Sequence, residues 1–396
     1  MNAQAEDIPA RLQRYSAFLA QDPGNAGLAN EVANLRLRLG EFAEARALLQ
    51  DALTRNPGHP ALLGTLASVA MAANQPDEAI GILQGLLAAG HDHPVARYNL
   101  AYALALARRF AEAHATLLPV VDDPQIPEAP VLLARCLHHL GELDEAIRRL
   151  NAFTAKHPDH AEALGLLSLL NLDALQVEAA RKAAEQALKT NPNDLGGLVT
   201  MGSLALETQD DQTAGSFFER AVERHPHSGR AWSGMGLTTM LKLDLPKAIG
   251  QLEQAVRYMP NHIGTWHALA WCQLMANDLE GAKRSFEQSM EIDRSFGETH
   301  GGLAVVAVMQ NRPADAEQAI KRAMRLNPES FAGRFAQSLL LNKSDPAKAQ
   351  ELLKSIFAAR VSVDGQTLQE ILRRNISQRQ AQSKGPGAPP PGGRPH

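Results

Sequence analysis

Three sets of side chains in this 396-residue sequence have types and spacings that could do chemistry. Fourteen histidines are present, and His59, His91, His93, His157, His160, His225, His227 and His262 all fall in short turn-like segments. Imidazoles stacked along one edge could hold a metal ion. Carboxylates come in close pairs at Glu41/Glu44, Asp77/Glu78 and Asp144/Glu145, the groups that general acid–base catalysis uses. Cys136 and Cys272 could pair in a disulfide.

Position removes each of these readings. The paired carboxylates recur at equivalent places, each time where a helix begins and negative charge suits its positive end. The cysteines lie 136 residues apart, four lengths of a 34-residue interval. They therefore occupy the same place in two distant segments, whereas a disulfide needs Cα atoms within about 7 Å. No two histidines stand at metal-ligand spacing on a helix, and turns are solvated, so neither a metal nor a cofactor is expected. The sequence has no GxxxxGK, HExxH, GxSxG or CxxC. No residue is assigned a catalytic role, and a non-enzymatic protein is expected.

The interval that explains these positions runs through the chain. Pro158, Pro192, Pro226, Pro260 and Pro328 share one register, which Pro57 and Pro23 extend backward. Ala45, Ala79, Ala113, Ala146, Ala180, Ala214, Ala248, Ala282 and Ala316 are 34 residues apart at every step but one, which is 33. Twelve residues before each alanine stands a small residue, from Ala33 through Ser168 and Gly202 to Ala304. An aliphatic or methionine precedes each of those, and an apolar residue follows each alanine by four, from Leu49 through Phe218 and Phe286 to Ile320.

Each period predicts two helices. Apolar residues recur with helical spacing, and the glycine of "LGEFAEA" and "LGELDEA" ends the first helix. The second helix starts at the acidic residues and stops where "NPG", "HPD", "NPN", "HPH" or "MPN" removes a backbone donor. Small residues at the crossing let helix axes approach to about 8 Å.

These features resemble the tetratricopeptide repeat (TPR) family over about residues 26–364. The resemblance implies an all-α, right-handed superhelical solenoid of antiparallel helix pairs whose first helices line a concave groove. Expected organisation is an N-terminal capping helix in 1–25 and, in 26–364, nine clear repeats with one degenerate. A C-terminal amphipathic capping helix in 365–381 and a disordered, basic Pro/Gly-rich tail in 382–396 follow. The terminal helix opens with a capping box at Thr367–Glu370 and carries Leu368, Ile371, Leu372 and Ile376 on one face. The pattern departs from the family near Pro119–Pro124, where the third unit is one residue short, at Arg294 in place of a proline, and around "SDPAKAQELL".

By the same resemblance, places 2, 5, 9, 12 and 13 of each unit face the groove, while Trp232 and Trp266, at place 4, pack between helices. In the first units the groove places hold Asn30, Asn34, Tyr98, Tyr102, Arg135, His138 and His139, suited to hydrogen-bonding an extended peptide. From the fifth unit they become Leu169, Leu172, Val199, Leu206, Leu237, Met240 and Leu241. Trp271, Leu274, Met275, Val305, Val308 and Met309 complete the set. Some of these pack against neighbouring first helices, yet so long an apolar stripe exceeds what a monomer usually exposes, and methionines adapt to varied partners. Asn30 and Asn34 lack basic partners in the next two units, so the carboxylate clamp of TPR co-chaperones is not expected.

The expected function is a protein–protein interaction adaptor that binds an apolar helix or extended peptide in the groove. Two alternatives stand beside it: a scaffold that self-assembles through groove and terminal helices, or a TPR subunit of a larger secretion, polysaccharide or glycosyltransferase assembly. An enzyme would need a further catalytic domain, and 32 residues follow the array. A net charge of −4 and a pI near 6.4 carry no basic footprint for nucleic acid. The N-terminal stretch has early acids and no apolar core like that of a signal peptide, and apolar runs fall short of the roughly 18 residues a membrane helix needs. A cytoplasmic protein without membrane insertion is expected. Arginine outnumbers lysine, as in GC-rich bacterial genomes.

Overall fold

The computed structural model describes residues 7–358 together with Thr367, Gln369, Glu370 and Arg373. The chain divides into two compact units, Met1–Pro192 and Asn193–His396. Unit 1 opens with α1 (Ile8–Gln21) and continues as antiparallel pairs: α2 (Ala26–Leu39) with α3 (Phe42–Arg55), then α4 (Pro60–Ala72) with α5 (Pro76–Ala88). Next come α6 (Pro94–Leu106) with α7 (Phe110–Leu117), α8 (Ala129–His139) with α9 (Leu143–Lys156), and α10 (Ala161–Asp173) with α11 (Val177–Thr190). A short 3-10 turn at Leu118–Val120 and the loop to Ala129 absorb the one-residue deficit.

Unit 2 pairs α12 (Leu195–Glu207) with α13 (Asp211–Arg224), α14 (Gly229–Leu241) with α15 (Leu245–Tyr258), and α16 (Ile263–Met275) with α17 (Leu279–Ile292). It ends in α18 (Gly297–Met309) with α19 (Pro313–Leu326) and α20 (Phe331–Leu341) with α21 (Pro346–Phe357). None of the described helices is long and apolar enough to cross a membrane. The expected capping box is present, with Glu370 N donating to Thr367 Oγ1 at 3.2 Å and Thr367 N to Glu370 Oε2 at 2.7 Å. Leu368, Ile371, Leu372, Ile376 and the tail in 382–396 lie outside the described residues.

The turn inside each pair is set by backbone geometry more than by residue type. Nine residues in one register adopt positive φ: Gly40, Asn74, Arg108, Gly141, Leu175, Gln209, Leu243, Asn277 and Asn311. The next residue's N–H reaches back five positions, as in Glu41 N to Arg36 O (3.0 Å) and Gln75 N to Ala70 O (2.8 Å), closing the helix end. Glycine occupies two of these nine places, so the glycine signal in the sequence marked only part of the rule.

Most first helices start from side-chain caps, though α4, α8 and α18 do not, and this accounts for three of the turn histidines. The Nδ1 atoms of His93, His160 and His262 accept from the amides of Ala96 (3.2 Å), Ala163 (3.2 Å) and Thr265 (3.1 Å). Asp194 and Ser228 do the same work at equivalent places.

The core of unit 2 is fitted by size along the repeat. Phe218 on α13 is buried against Gly234 on α14, where a Cβ would come within 2.2 Å of the ring. Phe286 on α17 stands against Gly302 on α18 in the same way, at 2.3 Å. Between them Leu252 shares a cluster with Ala268, and after them Ile320 shares one with Ala336. Each large ring therefore faces a glycine of the following first helix, while Leu252 lies against Gly236, where a Cβ would fall 2.6 Å from its side chain. Cys136 and Cys272 are free and buried, and burial pushes the Cys136 thiol up to about 11.

Trp232 and Trp266 differ from the expectation that they pack wholly between helices. Both are half-buried, and their indole N–H groups donate to the carbonyls of Pro226 (2.8 Å) and Pro260 (2.7 Å). Trp266 still packs against the buried cluster of Leu252 and Leu269, while its N–H end meets a turn carbonyl because an indole N–H needs an acceptor.

Candidate interaction surface

An aromatic group on α16, α17 and α20 forms the most developed surface in unit 2. Trp271 meets the ring of Phe286 edge-on at 6.1 Å, so its indole plane is fixed from below. It also meets Phe331 at 6.1 Å and Phe335 at 6.2 Å. Those two rings sit one turn apart on α20 and stack at 6.1 Å with an interplanar angle of 9°.

Two features of α18 hold this arrangement. Gly301 lets α18 approach α20 closely, since a Cβ there would fall 2.4 Å from the Gly333 nitrogen. Glu298 accepts from the amides of Phe331 and Ala332, each at 2.9 Å. The carboxylate thus sits at the positive end of α20 and fixes the helix start from which Phe331 projects. Phe331 is 40% exposed, Met275 51% and Met309 42%. Met275 follows Trp271 by one helical turn, and Met309 holds the matching place on α18, so both lie on the same side as the indole.

Three of the expected groove residues are core instead. Leu274 and Val305 are 6% and 1% exposed and belong to the buried cluster against which Trp271 and Phe335 pack. Val199 is 4% exposed, because α12 buries Gly196 through Thr200 in succession and leaves its first turn no open face. Leu206, Leu237, Met240, Leu241 and Val308 are half-buried, as is Trp271. The exposed apolar surface is therefore a patch around Met275, Met309 and Phe331 rather than an unbroken stripe.

Unit 1 presents a polar face. Tyr98 and Tyr102 stack along α6 at 6.5 Å, with Tyr102 exposed. Burial, and then the nearby Glu128, raise the Tyr98 phenol above its ordinary pKa. Arg135 pairs with Glu162 at 2.5 Å and His138 with Asp173 at 2.7 Å, while His139 stacks on Phe110 at 4.0 Å. Asn30 Oδ1 accepts from the Thr65 hydroxyl at 2.7 Å, and Asn34, Leu169 and Leu172 are half-buried. Arg135 and His138 are thus occupied by carboxylates of the neighbouring helix, and Tyr102 is the more open of the two stacked tyrosines.

Sequence reasoning missed Phe331, Phe335 and Glu298. The signal was available: Phe331 follows Gly297 by 34 residues, which puts Phe331 and Phe335 at places 1 and 5 of the tenth unit. The slip around Asp345 falls later, after both residues.

Comparison with known proteins agrees with this architecture. Tetratricopeptide repeat family models match residues 36–96 and residues 4–60, 131–195 and 170–229. A model described as anaphase-promoting complex, cyclosome, subunit 3 matches residues 75–153. Among solved structures, a human IFIT1 dimer with PPP-AAAA superposes with a TM-score of 0.55 at 17% identity, covering 96% of each chain. The APC/C hetero-tetramer Cut9-Hcn1 gives a TM-score of 0.51 at 14% identity, covering 88% of this chain and 89% of that one. Curated protein sequences give no match. Helix pairs at a 34-residue period, an αL stop in one register and matching repeat models together make this chain a member of the tetratricopeptide repeat family.

Proposed function

We propose that the chain is a non-enzymatic protein-interaction scaffold and that the aromatic–methionine patch of unit 2 binds an apolar helix of another protein. The observation that carries this reading is the exposure of Met275, Met309 and Phe331 around a Trp271 fixed by Phe286, Phe331 and Phe335. Rigid rings with adaptable thioethers at the rim suit an amphipathic helix, read through residues three and four apart. Each apolar side chain buried there contributes roughly 1.5–3 kcal/mol before the cost of ordering the partner. In unit 1, Tyr98, Tyr102 and Asn30 suit a more extended, hydrogen-bonded ligand.

Affinity capture from the native lysate tests the reading, comparing wild type with a Met275→Glu/Met309→Glu variant. Both side chains are exposed, so the variant keeps its fold. Partners lost only from the variant support docking on this patch, and partners retained by both contradict it. Recovery of the chain alone, lost in the variant, would favour self-assembly through the same surface. A nucleic-acid ligand, raised by the PPP-AAAA in human IFIT1, has less support, because Arg135 on the polar face is paired with Glu162.

A further inference from the structure

We propose a second binding site, in unit 1: a cleft between α4 and α6 that receives one uncharged side chain of an extended peptide. The proposal rests on the scaffold reading but concerns a different surface from the unit 2 patch. The cleft encloses about 460 Å³, within the range of ligand pockets.

Its origin lies in one residue of the repeat. At place 5, α2 carries Asn30 and α6 carries Tyr98, whereas α4 carries Gly64. A Cβ added at Gly64 would meet nothing within 4 Å, so the gap is open space rather than a close helix contact. Glycine inside a helix costs roughly 0.5–1 kcal/mol relative to alanine. No packing contact requires it here, and it leaves a gap one side chain wide between its larger neighbours.

The lining determines what can enter. Leu83, Leu86 and Ala96 give a buried aliphatic floor. Asn30 and Asn99 supply side-chain amides. The Asn30 oxygen takes the Thr65 hydroxyl and leaves two N–H donors unspent, and Asn99 makes no side-chain hydrogen bond among the described residues. A carboxamide offers a donor pair and an acceptor, the same groups a peptide main chain presents. No Asp, Glu, Lys or Arg lines the cleft; two histidines do, His93 with its Nδ1 committed to the Ala96 amide and His91 half-buried. A cationic side chain would therefore be desolvated with no carboxylate to meet it, and an anionic one would find no lysine or arginine. The chemistry fits an extended peptide whose main chain lies across Asn30 and Asn99 and whose neutral aliphatic residue enters at Gly64.

The test uses the full chain and a phage-displayed library of random decapeptides, with enriched sequences synthesised and measured by fluorescence anisotropy. A Cβ at Gly64 meets nothing within 4 Å, so Gly64→Leu extends into the gap from an unstrained start, and leucine has the better helix propensity; circular dichroism should stay at wild-type helicity. The expected result is a shared uncharged residue among the enriched peptides. Binding should weaken about tenfold or more in Gly64→Leu and several-fold in Asn99→Ala, and stay unchanged in Met275→Glu/Met309→Glu. Enrichment no greater than on Gly64→Leu, equal affinity for that variant, or an obligatory charged residue in the peptides would overturn the proposal. Each of those outcomes leaves the unit 2 capture experiment to stand or fall separately.

Discussion

The indole N–H of Trp266 donates to the carbonyl oxygen of Pro260 across 2.7 Å, six residues back along the chain. Trp232 makes the same bond to Pro226 at 2.8 Å, and His300 Nε2 reaches the Arg294 carbonyl at 2.9 Å. The three donors share place 4 of successive units. The third acceptor is the position where arginine replaces the repeat's proline. The carbonyl, which every residue has, is thus the invariant partner, and the proline ring can be dispensed with. Trp266→Phe keeps most of the ring and deletes the bond, so it should cost about 1 kcal/mol in urea unfolding. A change below about 0.3 kcal/mol would mean the turn is held by backbone alone.

The fit of Phe218 against Gly234 predicts a rescue. Gly234→Ala places a methyl against the ring and should cost about 1–3 kcal/mol. Phe218→Leu opens a cavity of its own at roughly 1–2 kcal/mol. The double variant recreates the neighbouring Leu252/Ala268 combination and should be at least about 1 kcal/mol more stable than the sum of the two predicts. Additive losses would show that the two sites do not share the contact.

Leu243 sits at φ 60° with 56% of its surface exposed. A side chain in that conformation costs roughly 1–2 kcal/mol, and so little burial offsets it that Leu243→Gly should stabilise unit 2 by about 1 kcal/mol. A lower denaturation midpoint in the variant would show that the exposed leucine makes an unrecognised contact.

Burial holds the His267 imidazole neutral, its pKa lowered from 6.5 to about 4. Its Nε2 lies 2.9 Å from Thr299 Oγ1, and Phe286 and Phe296 face its ring. Between those two pH values the unfolded chain binds a proton that the folded chain does not. Stability from this group is fully present above about pH 6.5 and is lost as pH falls towards 4. Unfolding midpoints of His267→Asn should therefore decline less between pH 7 and 5 than those of wild type. Parallel curves would contradict the assignment.

The fold was legible because it is written many times over: the alanine register from Ala45 to Ala316 survives any single substitution. The surface was legible only in part. Assigning a place in the unit identifies the side of a helix, but burial there depends on the next helix over. Val305 and Met309 share α18 and both match groove places, yet one is 1% and the other 42% exposed. The gap at Gly64 was invisible for a related reason, since a missing side chain matters only beside Asn30 and Tyr98 on other helices. Leu175 and Leu243 hid the αL stop, which their residue type argues against.

Site-specific photocrosslinking in native lysate would show whether another protein docks on the aromatic–methionine patch of unit 2. A benzophenone amino acid would replace Met275 or Met309 on the patch, or exposed Glu253 on α15 as the control. The same crosslinked protein is expected from Met275 and Met309 and none from Glu253. Crosslinking from Glu253 alone, or equally from all three positions, would contradict docking on the patch.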